Sequence, residues 1–174
     1  MAQDPQTNIR LRLLKPTAGD RKKLQRILEG AADYHWLTTG TLPDEEAANS
    51  FLAACPRGKE LSDKFVFGIT LGRRLIGCVD VIRAFPADDT AVINDFILLP
   101  DYRRRGLGRR SYEKVEGIIR SWAGCSRIRI GVLGVNSQVL PFWESVGFRR
   151  TGERFPEKIG RITTDVIVLE KVIG

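Results

Sequence analysis

The run AVINDFILLPDYRRRGLGRR, residues 91–110, decides how the rest of this chain is read. Its first nine residues are apolar except for Asn94 and Asp95, which predicts a buried strand. Pro100 stops that strand, a basic turn follows, and from Leu107 the pattern becomes helical: Leu107, Ser111, Val115, Ile118, Ile119 and Trp122 recur at steps of three and four. Arg109, Arg110, Lys114 and Arg120 fall mostly off that face. Gly106 and Gly108 are poor helix formers, each costing about 1 kcal/mol against Ala in a helix interior. They are explained if a ligand must come close to the backbone. A strand that turns through glycine into a helix start gathers unpaired N–H groups at the positive end of the helix dipole, a setting that attracts an anion.

Composition narrows the choice of anion without making it. Twenty-eight Lys and Arg against 21 Asp and Glu give a formal charge of +7, which suits a nucleic acid, a membrane surface or a phosphorylated cofactor. Five arginines (103, 104, 105, 109 and 110) stand beside the two glycines and focus that charge on one place. The 174 residues, 43% of them hydrophobic, read as a single domain, residues 1–174, with no repeat or low-complexity linker. Cys55, Cys78 and Cys125 show no paired spacing, so neither a disulfide framework nor a zinc site is indicated, and no metal is expected. The opening MAQDPQTN lacks a signal-peptide pattern, and no apolar run approaches the roughly 18 residues of a membrane span. A soluble, cytoplasmic protein without a membrane partner is expected.

Working outward, Ile9, Leu11 and Leu13 alternate with arginines as a half-buried strand that Pro16 ends. Thr17–Gly30 carries Leu24, Ile27 and Leu28 at helical spacing. Ala31–Pro43, with Tyr34, His35, Trp36 and Leu37 together, reads as an ordered loop or short helix. Asp44–Cys55 reads as a helix capped by Asp44. Lys64–Leu71 and Arg74–Ala84 form a hairpin across Gly72-Arg73, and Thr90–Leu99 is a third strand. Beyond the basic turn come a strand at Arg127–Leu133, a short helix at Asn136–Val146, and closing strands at Gly147–Arg154 and Thr164–Lys171. The order predicts an α+β protein with a mixed sheet flanked by helices.

Two motifs resemble those of one known family. Arg103-x-x-Gly106-x-Gly108 after an apolar strand is similar to the acetyl-CoA-binding motif of the GCN5-related N-acetyltransferases (GNAT). Asn136, seven residues before Trp143, with Trp143-x-x-x-Gly147-Phe148, resembles that family's second motif. The resemblance spans nearly the whole chain and implies the GNAT fold, in which central strands splay and the pantetheine arm lies in the gap. It implies acetyl-CoA as co-substrate, a small-molecule or peptide amine as acceptor, direct transfer to a primary amine, and allows a homodimer. Cofactor contacts would come from the strand around Ile97, Leu98 and Leu99, from Arg103, Arg104, Arg105, Gly106, Leu107, Gly108 and Arg109, and from Asn136, Phe142 and Trp143. Trp143 departs from the tyrosine often found there; an indole donates a hydrogen bond but is no usable acid, so no general acid is named.

Each residue also has a plainer reading. The arginine run can be a basic surface or nucleic-acid patch. Asn136 can be a helix N-cap. An amine must shed a proton before it attacks, and Asp95 is the carboxylate nearest the expected thioester, a candidate general base; it can equally be a bulge or edge residue. His35 and Trp36 are acceptor-side candidates, and a lone histidine among aromatics is often simply packed. Acceptor pockets are expected from Ala31–Pro43 and from Phe155–Thr163. Two other functions compete with catalysis: a non-catalytic acyl-CoA-binding module and a basic nucleic-acid-binding domain, although no nucleic-acid motif supports the latter.

Overall fold

The computed structural model describes residues 8–174. Seven strands, β1 (Ile9–Leu13), β2 (Lys64–Leu71), β3 (Arg74–Arg83), β4 (Thr90–Leu98), β5 (Arg127–Leu133), β6 (Arg149–Ile159) and β7 (Ile162–Val172), form one sheet in the order β1-β2-β3-β4-β5-β7-β6. Among the described residues five α-helices accompany it: α1 (Ala18–Gly30), α2 (Ala32–Thr39), α3 (Ala47–Ala53), α4 (Leu107–Arg120) and α5 (Leu140–Ser145). Every strand pairing is antiparallel except β4 with β5.

The sheet divides the core into two layers. On one face Leu24, Ile27 and Leu28 of α1 pack with Val66, Cys78 and Ile97. On the other, Leu107, Tyr112, Val115 and Ile119 of α4 meet Val79, Val81, Ile93 and Leu98. Fully burying such a side chain contributes about 1.5–3 kcal/mol, so the apolar stripe of α4 fixes how that helix lies against β4.

Two irregularities in β4 shape the molecule. The register passes from Asp80↔Asp95 to Val81↔Ile93, leaving Asn94 as the extra residue of a β-bulge. Strict alternation from Ile93 would send Asp95 toward α4; the bulge shifts the phase, so Phe96 and Leu98 face α4 while Ile97 faces α1. Immediately beyond the bulge, β4 and β5 part company: they pair only from Thr90↔Arg127 to Ile93↔Ile130. The gap that opens is the expected splay.

Several boundaries differ from the sequence expectation. Asp44 does not cap a helix: its carboxylate accepts from the Glu46 N–H at 3.0 Å in a local turn, and α3 begins only at Ala47. Short polar side chains compete for nearby amides in this way. Ala31–Pro43 contains a true helix, α2. Residues 136–146 divide into a 3₁₀ segment, Gly134–Val139, and α5. Phe155–Thr163 is not a loop, because β6 and β7 run on to a tight turn at Gly160-Arg161. β6 is exposed almost along its whole length, so it has no apolar alternation from which its extent could be read.

Candidate active site

The splay of β4 from β5 opens into a cleft of about 730 Å³, walled by β4 and β5, the start of α4, α2, and the segment from Asn136 to Trp143. At one end stands the turn before α4. Gly106 occupies the left-handed region at φ 73°, and Arg104 does so at φ 55°. Alternating left- and right-handed residues turn successive N–H groups into one concavity. Among the described residues, none of the N–H groups of residues 104–109 has an acceptor; the first helical bond runs from Arg110 N–H to Gly106 O. No acidic side chain occupies the first turn of α4. A Cβ placed on Gly106 would meet open space, while one on Gly108 would touch the Phe142 ring at 3.4 Å. Main-chain donors, the helix dipole and open volume therefore coincide here.

The five arginines separate on folding. Arg104 and Arg109 line the cleft, and Arg109 also donates to Ser145 O and Oγ at 3.1 Å. Arg103 lines it too, but its Nε donates to Leu98 O at 2.8 Å and its two Nη groups grip Asp33 of α2, holding that carboxyl below its usual range. Arg105 turns back to Asp101 O.

The exposed edge of β4 supplies a second set of donors. Leu99 N–H bonds to Ile76 O at 2.9 Å. Since N–H groups alternate in direction along a strand, those of Phe96 and Leu98 point the other way, into the gap where β5 no longer pairs. Across the gap, Asn136 lines the cleft in a non-helical conformation, accepting from Gln138 Nε2 at 3.0 Å. It is not an N-cap, since α5 starts at Leu140 and has no side-chain cap. Phe142 and Trp143 complete the wall. Trp143 is 7% exposed and packs edge-on against Phe96, Phe142, Tyr112 and Phe148, with centroids 5.1–5.8 Å apart.

Asp95 does not itself line the cleft; it stands behind the wall, next to Tyr34, which does. The bulge turns it to the α1 face, where the Tyr34 hydroxyl donates to its Oδ1 at 3.2 Å. The residue is half-buried. Burial, with the Asp80 charge beside it, raises Asp95 from 3.8 to about 7; the Tyr34 hydrogen bond and Lys64 oppose the rise. Burial beside that carboxylate pushes the Tyr34 hydroxyl well above its usual range. A carboxyl that titrates near neutrality, linked by one hydroxyl to a cleft, is suited to proton acceptance.

The profile of the acetyltransferase (GNAT) family matches residues 28–148. The chain belongs to this family. Among solved structures, an acetyltransferase from Thermus thermophilus superposes with a TM-score of 0.70 at 24% identity, covering 94% of this chain and 97% of the other. Spermidine N-acetyltransferase from Vibrio cholerae, in complex with CoA and spermine, gives 0.68 at 16% identity, with 94% and 95% covered. The ribosomal-protein-S18-alanine N-acetyltransferase of Escherichia coli gives 0.64 at 18% identity, with 96% and 95% covered. Among curated proteins none matches.

The GNAT chain brings to its cleft Ile97, Leu98, Arg103, Arg104, Gly106, Gly108, Arg109, Asn136, Phe142 and Trp143. Leu99 instead packs with the α1 layer, its N–H already used, and Leu107 is core, leaving only its backbone for the turn. His35 and Trp36 do not line the cleft. On α2 the inward positions are Asp33, Tyr34, Leu37 and Thr38, and the intervening residues turn away: Trp36 is 62% exposed, while His35 has a buried Nε2 without a partner and is lowered by burial. Tyr34 is the residue that sequence reading passed over. Its helical phase relative to Thr38, at i and i+4, was the available signal, but α2 had to be known as a helix first.

Proposed function

We propose that this GNAT protein transfers the acetyl group of acetyl-CoA directly to a primary amine. The observation that carries the reading is the set of unpaired amides from Arg104 to Arg109, at the mouth of a cleft that only the splay of β4 from β5 could open. The residues present fit the co-substrate: those amides with Arg104 and Arg109 suit a diphosphate, and Asn136 with the exposed edge of β4 suits a chain of amides. Acetyl-CoA supplies an activated acyl carbon. The Leu98 N–H, aimed into the gap, stabilises negative charge as it gathers on the acyl oxygen. Asp95, through Tyr34, takes the proton that the amine must lose. A thiol with an ordinary pKa of about 8.5 leaves near neutrality without a dedicated acid, so Trp143 in place of a tyrosine is compatible with turnover.

The acceptor end lies between Tyr34, Thr38, Asn94 and Gln138. Polyamines and peptide N-termini are the acceptor classes to test first, being those of the V. cholerae and E. coli relatives. The proposal takes the chain, residues 1–174, as one N-acetyltransferase domain in a reducing, cytoplasmic setting, consistent with three free cysteines. Calorimetric titration with acetyl-CoA is expected to give micromolar affinity, and an amine panel to release free thiol. Binding without release from any amine would leave an acyl-CoA-binding module, and absence of binding would remove the reading.

A further inference from the structure

A charged cluster lies behind the cleft, across β2, β3 and β4. Asp80, 1% exposed at the middle of β3, pairs with Lys64 Nζ of β2 at 2.5 Å, and both side chains are 2% exposed. A buried ion pair of this kind adds little to stability over apolar residues of similar volume, so its position calls for another account. Asp80 faces Asp95 across the bulged register. Between them, Asn94 Nδ2 is 3.1 Å from Asp80 Oδ2 and 3.2 Å from Asp95 Oδ2, while Asp80 Oδ1 has no partner among the described residues. The groups facing Asp95 are thus Tyr34 from α2, Cys78 and Asp80 from β3, Lys64 from β2, and Asn94 beside it.

We propose that Asp80 is a positioning residue for proton acceptance: with Lys64 as its counter-ion, it holds Asp95 in a cluster that is electrically neutral only while Asp95 carries a proton. The inference rests on Asp95 being the proton acceptor. Lys64 and Asp80 cancel, so an ionised Asp95 leaves one uncompensated negative charge beside the buried pair, and taking the amine proton removes it. Two neighbouring carboxylates resist ionising together. The bulge at Asn94 is what places the second carboxylate on the face of the first.

The test uses Asp80→Asn, the double variant Lys64→Met with Asp80→Asn, and Asp95→Asn. Thiol release with the most active amine is followed against pH, and the Asp95 carboxyl is titrated by ¹³C NMR, assigned by difference from Asp95→Asn; the titration needs no acceptor. Asp80→Asn is expected to lower the Asp95 midpoint and the acid limb of the rate together by about one pH unit, raising the rate near pH 6 roughly five-fold relative to its own plateau. Acetyl-CoA affinity stays unchanged. The double variant, which orphans no ammonium, moves the midpoint the same way by less, and keeps the test open if the single variant does not fold. A midpoint that stays at the wild-type value in either variant overturns the role of Asp80 while leaving Asp95 in place. Full transfer by Asp95→Asn overturns the reading of Asp95 itself, and that outcome is read independently of Asp80.

Discussion

The two ends of the cleft are built by different means. The end proposed to take an anion is main chain from one continuous stretch, residues 104–109, and its shape depends on two left-handed residues and a helix start. The proposed proton acceptor behind the other end is side chain, assembled from Tyr34 on α2, Asp80 on β3, Lys64 on β2, and Asn94 with Asp95 on β4. A main-chain site tolerates many side chains but almost no change of backbone conformation. A side-chain site tolerates backbone substitutions elsewhere but fails when one partner changes charge. Variants at each end should therefore affect different constants.

The largest effect is expected from Gly106→Asp. A non-glycine residue in the left-handed region costs about 1–3 kcal/mol, and its carboxylate would meet the diphosphate directly. Acetyl-CoA binding by calorimetry should be lost, with the circular dichroism spectrum retained; undiminished affinity would place the anion elsewhere. Asp95→Asn should do the opposite, lowering transfer about 10²–10⁴-fold with acetyl-CoA affinity intact.

The same variant has a stability signature. Asp95 holds its proton more tightly folded than unfolded, so its contribution is complete below pH 3.8 and drains away as pH rises through about 7. Asp95→Asn, which stays neutral, should therefore melt higher than wild type near pH 8 and show no such advantage near pH 3. Equal melting temperatures at the higher pH would mean that Asp95 ionises at little cost.

Tyr34→Phe severs the hydroxyl link between Asp95 and the cleft, so it should lower transfer at every pH, toward the loss expected for Asp95→Asn, with acetyl-CoA affinity intact. A plateau rate equal to wild type would show that the proton reaches Asp95 by another route. Arg104→Ala, which removes a cation lining the cleft, should weaken acetyl-CoA binding roughly three- to ten-fold, more at low salt, whereas Arg105→Ala should leave it nearly unchanged. Equal losses at both positions would mean that the net charge of the turn, rather than its geometry, attracts the ligand.

The same contrast accounts for how much could be read in advance. The turn before α4 was legible because all its parts are local: an apolar run, Pro100, two glycines and a helical stripe lie within about thirty residues, and local chemistry gives each a conformation. The strand at Arg127–Leu133 was read with its observed ends for the same reason, its alternation being clean. Long polar β6 was cut short because a strand exposed on its edge and faces leaves no period to follow. Trp36 was attractive by composition and wrong by phase, since an aromatic residue on a short helix announces its type but not its direction.

By itself, the chain established the class of fold and the glycine-punctuated strand-to-helix turn, because each follows from the order of neighbouring residues and the geometry they prefer. Only the tertiary structure determined which of five arginines reach the cleft, that Tyr34 and not His35 touches Asp95, and that Asp80 and Lys64 stand behind it. Those relations join residues up to 61 positions apart through a β-bulge and strand pairing, and such contacts are chosen by packing of the whole sheet rather than by any local preference.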